Sequence, residues 1–279
     1  MKLNLNTLYI VSTPIGNLDD ITIRAIEVLK KSDIILCEDT RRSLKLLNHL
    51  KIKKKLVSYH KFNEKKKLHN IIEHINKGEI LSLISDAGTP LLSDPGKLLI
   101  NECIKNKIKI IPVPGVSSIT SAMSVSGFND QFLFYGFLPK KEKEVDRVLK
   151  SLSIYEFSQV FFVPSIKINF YTRKLKEYFS GRKIMIAKEM TKLHEDFLRF
   201  DIDNQILFKN SLKGELTIVV SNIKKVKKKI NKEKIINKVK RYLKKYSLKD
   251  TVNLIIESEK INKKEIYKLC LKIKDEKNF

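Results

Sequence analysis

The chain has 279 residues, 42% apolar and 31% charged, a globular composition that excludes disorder over the whole length and suits one large or two medium domains. Its 56 basic residues outnumber 31 acidic ones, and the formal charge of +25 favours a nucleic-acid partner. Because 48 of the basic residues are Lys and only eight are Arg, a bias that an AT-rich genome also produces, the location of the charge is more informative than its size.

Cysteine usage and hydropathy exclude two further classes of protein. Cys37, Cys103 and Cys270 lie far apart with no C-x-x-C spacing, so neither a disulfide framework nor a zinc site is indicated, and we expect no metal. No apolar run approaches the roughly 18 residues that a membrane span needs, and the N-terminal stretch has no signal-peptide core. We therefore expect a cytoplasmic protein that has no membrane partner.

Short β-branched runs alternate with amphipathic segments through the first half of the chain. This alternation predicts a mainly parallel sheet covered on both faces by helices, in an α/β domain that spans residues 1–138. Its predicted strands are 7–12, 34–37, 56–59, 80–84, 109–113 and finally 132–136, and its helices are 21–31, 41–50, 65–76, 97–106 and a small-residue helix that ends near Gly127.

The Pro and charge density of residues 137–144 predicts a linker to a second α/β domain, which spans residues 139–222. Residues 223–279 then form a small, basic, helical C-terminal region. The elements predicted in these two parts are helices 145–152 and 166–179, strands 159–163, 183–187, 195–202 and 215–220, a basic helical stretch at 224–245, and short helices at 248–256 and 263–273.

Three loops leave the predicted strands of the first sheet at the same edge. They read T-P-I-G-N-L (residues 13–18), S-D-A-G-T-P (85–90) and P-G-V-S-S (114–118). Loops of this kind bind carboxylates, phosphates or the polar edges of a nucleoside, although Asp caps would also suit an ordinary strand-to-helix connection. Neither a G-x-G-x-x-G fingerprint at the first helix nor a P-loop motif occurs, which excludes the common dinucleotide and NTPase sites.

Four ordered motifs carry a resemblance to one known family. They read Y-I-V-S-T-P-I-G-N-L-D-D-I-T-I-R-A (residues 9–25), C-E-D-T-R-R-S-L-K-L-L (37–47), L-I-S-D-A-G-T-P-L-L-S-D-P-G (83–96) and I-P-V-P-G-V-S-S (111–118). In this respect the chain resembles the ribosomal RNA small subunit methyltransferase I family, in the tetrapyrrole-methylase-like class of S-adenosylmethionine enzymes. Weaker similarity returns in A-K-E-M-T-K (187–192) and K-G-E (213–215).

The resemblance implies a fold, a cofactor, a substrate and an assembly. The fold would be α/β, with two α/β domains, the cofactor cleft between them and the small helical basic C-terminal region. The enzyme would use S-adenosyl-L-methionine to methylate the ribose 2′-oxygen of a cytidine in the decoding region of 16S rRNA. Its substrate would be the small ribosomal subunit, and it would commonly be a homodimer.

Methyl transfer to a ribose hydroxyl requires an oxygen nucleophile held in line with the methyl group, in a site that excludes water. The hydroxyl is a poor acid, so a nearby carboxylate or neutral amine would help as a base. The candidates are Glu38 and Asp39 after the second strand, and Lys188 and Glu189 after a strand of the second domain. Helix capping by the first pair and a surface ion pair for the second are the alternatives.

The strand-end loops and the second domain supply the predicted cofactor contacts. Asp86 could accept hydrogen bonds from the cofactor's amino or hydroxyl groups, or cap its own loop. The full predicted set is Pro14, Gly16, Asp86, Gly88, Thr89, Pro114, Gly115, Ser117 and Ala187.

Arg41 and Arg42 begin a helix beside the predicted cleft, where their guanidinium groups can bind RNA phosphates. His60 completes the predicted RNA contacts, because it could join Tyr59 and Phe62 in stacking a splayed base, or all three could form a partly buried loop cluster. The basic stretch 224–245 predicts an RNA-docking surface, with a solvated Lys-rich helix as the alternative.

One segment departs from the family pattern. Where the family has an aromatic-Glu-Ser-Pro-His-Arg segment, residues 161–167 read F-F-V-P-S-I-K, without the Glu and the His. This departure keeps a non-catalytic RNA-binding assembly factor as an alternative. A tetrapyrrole methyltransferase on the same fold is the other alternative, but it has no use for Arg41, Arg42 or the basic C-terminal region.

Overall fold

The structure is a computed structural model that describes residues 3–204, 207–209, 212, 214–223, 232–259 and 263–275. The chain forms two compact units, Met1–Ile223 and Lys224–Phe279. None of the helices in the described part of the chain is both long enough and apolar enough to cross a bilayer.

Strands and helices alternate from residue 7 to residue 126. The elements are β1 (Thr7–Val11), α1 (Ile23–Lys31), β2 (Ile34–Cys37), α2 (Thr40–His49), β3 (Lys55–Ser58), α3 (Glu64–Asn76), β4 (Ile80–Ile84), α4 (Lys97–Lys105), β5 (Lys109–Val113) and α5 (Ser118–Ser126). The five strands form a parallel sheet in the order β3-β2-β4-β1-β5. Alternate residues of its strands face opposite layers of helices. Leu8 and Ile10 pack with α3 and α4 on one face, whereas Tyr9 and Val11 pack with α1 and α2 on the other. Burial on both faces explains the nearly continuous apolar runs of these strands.

The second sheet and its helices follow in the chain. The elements are β6 (Phe132–Phe137), α6 (Glu142–Ser153), β7 (Ser158–Pro164), α7 (Ile168–Tyr178), β8 (Lys183–Lys188), β9 (Asp196–Asp201) and β10 (Glu215–Val220). The sheet is mixed, with the strand order β6-β7-β10-β8-β9. β6 runs parallel to β7, and the remaining neighbours are antiparallel. Helices α6 and α7 cover one face, and α5 contributes Ile119 and Ala122 to the core on the other.

These two α/β sheets confirm the predicted fold class, but one strand belongs elsewhere. Residues 132–136 were expected to end the first sheet, and this was wrong, because Phe132–Phe137 pairs with Ser158–Pro164 in the second sheet. The predicted linker also contains structure, since Leu138 is buried in the second core and α6 begins at Glu142. The residue boundaries of the predicted domains stay predictions.

The described residues of the second compact unit form three helices, α8 (Lys232–Leu243), α9 (Leu248–Glu259) and α10 (Lys263–Asp275). Ser247 caps α9, because its Oγ accepts a hydrogen bond from the Asp250 backbone N–H at 3.2 Å and donates one to the Asp250 carboxylate at 2.6 Å. Residues 224–231 of the predicted basic helix lie outside the described residues. The core of this unit consists of Ile235, Val239, Val252, Ile255, Ile266, Cys270 and Ile273.

Replacing Ile255 should destabilise this unit, because its side chain is fully buried in the three-helix core. We expect Ile255→Ala to cost about 2–5 kcal/mol of unfolding free energy. Hydrogen exchange on the full chain should show faster exchange across α8–α10 and unchanged protection in β1, β4 and β5. Leu254→Ala is the control, because Leu254 is 37% exposed. Equal effects of the two substitutions would contradict the placement of Ile255.

Candidate active site

A cleft of about 890 Å³ opens where the carboxyl ends of the first-sheet strands meet the second sheet. Loops after β1, β2, β4 and β5 line one side, and residues of β6, β7, β8 and β10 with the segment after β8 line the other. The lining residues are Pro14, Ile15, Gly16, Leu18, Glu38, Arg42, Asp86, Ala87, Gly88, Thr89, Leu92, Ser93, Asp94, Ser117, Ser118, Ile119, Phe137, Phe162, Ala187, Glu189, Met190, Lys192, Gly214 and Thr217.

Backbone hydrogen bonds tie the three first-sheet loops to one another. Thr13 and Gly88 exchange N–H···O bonds of 2.9 and 3.0 Å, which form a single antiparallel bridge between the loops after β1 and β4. Gly88 has a φ of +77°, a conformation that glycine adopts without strain. The Thr89 hydroxyl donates to the carbonyl of Val116 at 3.1 Å and so adds the loop after β5. This side of the cleft is therefore fixed by the main chain as well as by side chains.

The loop after β1 also contacts the segment after β8, on the other side of the cleft. The Asn17 N–H donates to Thr191 Oγ1 at 2.9 Å. A Cβ on Gly16 would lie 2.6 Å from Lys192 Cγ and 2.7 Å from Thr191 Oγ1, so only glycine allows this approach. Glu189 and Thr191 have φ values of +51° and +64°, so this segment turns sharply before it meets the loop.

The end of β2 carries a group of charged side chains with very different surroundings. Asp39 caps α2 by accepting the Arg41 N–H at 2.9 Å, and its carboxylate also accepts from Arg41 Nε at 3.1 Å and Nη2 at 2.7 Å. These bonds hold the pKa of Asp39 far below its ordinary value. Arg42 Nη1 lies 3.3 Å from Asp86 Oδ2, and the Asp39 N–H donates to Asp86 Oδ1 at 3.1 Å.

Glu38 has the opposite electrostatic environment. Partial burial raises the pKa of its carboxyl, and the negative charge of Asp86 raises it further, while His60 and Arg42 oppose the shift. A carboxylate with a raised pKa is a better proton acceptor than an ordinary one. Of the two acids after β2, Glu38 is the one that lines the cleft and whose carboxyl pKa is raised.

The cleft brings together most of the predicted site residues, from both sheets. It includes Glu38 and Glu189 of the predicted catalytic group and Arg42 of the predicted RNA contacts. Glu189 Oε1 lies 3.1 Å from Lys192 Nζ. Of the predicted cofactor contacts, it includes Pro14, Gly16, Asp86, Gly88, Thr89, Ser117 and Ala187.

Other predicted site residues lie outside the lining formed by the described part of the chain. The carboxylate of Asp39 is occupied by Arg41, and Lys188 is the last residue of β8. Pro114 and Gly115 line a neighbouring open depression of about 540 Å³, together with Ser117. A Cβ on Gly115 would lie 2.8 Å from Ser12 Cβ, so this glycine allows the loop to pack on β1.

The predicted aromatic cluster near His60 is only partly available. Tyr59 is fully buried, so the expectation that it could stack a base was wrong. Phe62 is exposed, and its N–H donates to His60 Nδ1 at 3.3 Å. Arg24 on α1 donates from Nη2 to the carbonyl of Pro112 at 3.3 Å.

The sequence missed most of the second-sheet side of the cleft. Phe137 had been placed in a linker and Phe162 in the altered motif, yet both line the cleft. Lys192 ends the A-K-E-M-T-K motif (187–192), but only the three-dimensional structure shows that its side chain lies against Gly16. Lys213 of the K-G-E motif lies outside the described residues. Across the described residues, no three His, Cys, Asp or Glu side chains gather into a group that could hold a metal ion.

Comparison with known proteins identifies the class to which this fold belongs. Residues 7–204 match the family model of Tetrapyrrole (Corrin/Porphyrin) Methylases. Among solved structures, the methyltransferase CobJ aligns with 77% of this chain and 93% of its own at 15% identity, with a TM-score of 0.59. A Thermus thermophilus uroporphyrin-III C-methyltransferase complexed with S-adenyl homocysteine aligns with 77% of this chain and 97% of its own, at 12% identity and a TM-score of 0.54. The fold is that of the tetrapyrrole methylases.

Curated relatives identify the family more narrowly. A ribosomal RNA small subunit methyltransferase I from Thermotoga maritima is 44% identical over 220 residues, which cover 78% of this chain and 99% of the relative. One from Rickettsia prowazekii is 42% identical over 273 residues, covering 96% of this chain and 97% of the relative. The chain therefore belongs to the ribosomal RNA small subunit methyltransferase I family, as its motifs indicated.

The environment of Glu38 leads to a measurable prediction. Because the negative charge of Asp86 raises the pKa of Glu38, Asp86→Asn should lower that pKa. Carboxyl carbon NMR, with the signal assigned through Glu38→Gln, would follow the titration. Asp94→Asn is the matched control, since Asp94 also lines the cleft but is not among the groups that shift Glu38. A Glu38 pKa that is unchanged or higher in Asp86→Asn would contradict the electrostatic assignment.

Proposed function

We propose that this protein transfers a methyl group from S-adenosyl-L-methionine to the ribose 2′-oxygen of a cytidine in the decoding region of 16S rRNA. Membership of the ribosomal RNA small subunit methyltransferase I family is the observation that carries the proposal. A cleft with a carboxylate base candidate on either side supports it. The substrate is the small ribosomal subunit, so the protein acts in the cytoplasm.

The cleft suits the chemistry of S-adenosylmethionine, which is a nucleoside with a zwitterionic amino-acid end. Ser117 makes no capping hydrogen bond to α5 in the described structure, so the helix N-terminus keeps N–H groups for a carboxylate. Asp86 provides acceptors for amino or hydroxyl groups, and Gly88 and Gly16 also line the cleft. The residues that would hold the cofactor are Pro14, Gly16, Asp86, Gly88, Thr89, Ser117 and Ala187, with Pro114 and Gly115 shaping the loop after β5.

Bound S-adenosylmethionine supplies an activated methyl group, and the protein's own task is to position the acceptor and remove its proton. Glu38 is the better base, because its pKa is raised and it lines the cleft. Glu189 is the second candidate, and its Oε1 lies 3.1 Å from Lys192 Nζ. Asp39 and Lys188 act indirectly: Asp39 caps α2 and orients Arg41, and Lys188 ends the strand that leads to Glu189.

Binding to RNA in this proposal is electrostatic. Arg42 lines the cleft and Arg41 is exposed beside it, so both guanidinium groups can contact phosphates. His60 and the exposed Phe62 offer a further contact beyond β3. In the C-terminal unit, Lys and Arg side chains of α8 provide additional phosphate contacts.

The proposal includes a homodimer. Its support is the resemblance of the motifs to a family whose members are commonly homodimers.

The decisive experiment is transfer of labelled methyl groups from S-adenosylmethionine to small ribosomal subunits that lack this modification. We expect incorporation into 16S rRNA, and nucleoside analysis should yield 2′-O-methylcytidine. Transfer to tetrapyrroles instead would favour the alternative methyltransferase. Cofactor binding separates the remaining outcomes, because an RNA-binding assembly factor would bind subunits but not S-adenosylmethionine.

Glu38→Gln should lower kcat by about 10²- to 10⁴-fold, the usual contribution of a positioned base, and leave the Kd for S-adenosylmethionine unchanged. Single-turnover methyl transfer and calorimetry would measure the two quantities. Glu73→Gln is the matched control, because Glu73 lies on α3 and pairs with His69. An unchanged kcat in Glu38→Gln would assign the base to another group, with Glu189→Gln as the next variant.

A further inference from the structure

An exposed aromatic ring lies in the cleft at the end of an edge strand. Phe137, the last residue of β6, lines the cleft and is 45% exposed. The loop after β4, which approaches β6 at Gly136, contributes carboxylate and hydroxyl groups to the same cleft. Leaving a phenyl ring in contact with water forfeits the free energy of its burial. The ring is therefore placed where an apolar planar partner would cover it.

A β-bulge turns this ring toward the cleft. In a regular strand Phe134 and Phe137 would face opposite sides of the sheet, because side chains alternate. The register between β6 and β7 shifts between Phe134 and Gly136, so that Tyr135 becomes an extra residue. Both rings consequently pack on Phe162, with centroid distances of 5.0 Å from Phe134 and 5.2 Å from Phe137.

The bulge depends on Gly136 and is held against the cleft loop. Gly136 has a φ of +92°, which strongly favours glycine. A Cβ at this position would lie 2.8 Å from Ser93 Oγ, so the missing side chain also lets the loop after β4 approach β6. Ser93 itself lines the cleft. Bulges often re-aim a side chain next to an active site, and this one aims Phe137.

We propose that Phe137, supported from behind by Phe162 and Phe134, stacks on the base of the nucleotide whose ribose is methylated. The inference rests on the proposed function. RNA is read mainly at unstacked nucleotides, whose bases stack on aromatic side chains. β6 is an edge strand, so Phe137 lies at the rim, where a macromolecular acceptor can reach it. The proposed cofactor contacts of the first sheet, Asp86 to Thr89 and Ser117, lie on loops opposite this strand.

The test compares Phe137→Ala, Phe137→Leu and Phe137→Trp in methyl transfer to small ribosomal subunits. Loss of stacking should raise the KM for subunits by about 5- to 150-fold in Phe137→Ala, with little change in kcat. Phe137→Leu should behave like Phe137→Ala, because it keeps apolar volume but lacks a ring face. Phe137→Trp should restore most of the affinity, and none of the three should alter the Kd for S-adenosylmethionine.

Phe157→Ala is the matched control, since Phe157 immediately precedes β7, is 43% exposed and is not part of the cleft lining in the described structure. It should leave the KM unchanged. Thermal unfolding would verify that each variant is folded. If Phe137→Ala does not fold, Phe137→Leu still tests the loss of the ring face.

Three results would overturn the inference. A wild-type KM in Phe137→Leu would show that an apolar contact without a ring suffices. A loss of S-adenosylmethionine affinity equal to the loss for subunits would assign the ring to the cofactor. If the unsubstituted protein transfers no methyl group to subunits, the proposed function fails and the inference fails with it. The KM of a variant is compared with that of the unsubstituted protein, so failure of the inference alone can be recognised only when the unsubstituted protein is active.

Discussion

The close approach of Gly16 to the segment after β8 is the contact on which the rest of the site depends. The first sheet supplies three loops tied together at Thr13, Gly88 and Thr89, and the second sheet supplies the opposite wall. Thr191 and Lys192 touch the first of these loops at a point where any side chain on residue 16 would collide with them. The cleft therefore has a defined width at this point because one position lacks a Cβ and the facing segment turns through left-handed backbone.

Two adjacent acidic residues in this site, Glu38 and Asp39, have carboxyl pKa values that are shifted in opposite directions. Asp39 is held ionised by Arg41, so it is a structural anion that fixes the start of α2. Glu38 precedes it directly, yet burial and the charge of Asp86 favour its protonated form relative to an ordinary glutamate. Separation of pKa values between adjacent acids is a common way for a site to assign one group to structure and another to proton transfer.

Much of the fold follows from the sequence, because strands buried on both faces and capped helices leave strong local patterns. Ile34–Cys37, Ile80–Ile84 and Lys109–Val113 lie where the alternation predicts them. The pattern could not decide whether Asp39 caps a helix or acts as a base, since both uses require the same residue at the same strand end. Nor could it place Phe132–Phe137 in the second sheet, because pairing partners are long-range and the adjoining Pro and charged residues resemble a linker.

For similar reasons, the sequence pattern did not indicate the site residues that the second sheet contributes. Phe137 faces the cleft only because a register shift reverses its side, and Lys192 reaches Gly16 only through the turned backbone of Glu189 and Thr191. Gly136 within the predicted strand is a local signal for the first effect, because a glycine inside a strand often marks a bulge, whereas the second effect has no local signature in composition or spacing. The motifs identified the family correctly, but the roles of individual residues required the three-dimensional arrangement.

Helix α5 precedes the second sheet in the chain, yet Ile119 and Ala122 pack into the second sheet's core, and β6 follows as that sheet's edge. The boundary between the two hydrophobic cores therefore falls before α5 along the chain, although α5 precedes every strand of the second sheet. In a chimera of two relatives joined after Leu138, the second sheet would come from one relative, whereas its edge strand β6 and the helix that covers one of its faces would come from the other. A junction in the loop before Ser118 would instead keep the second sheet together with β6 and with the helix that covers one of its faces.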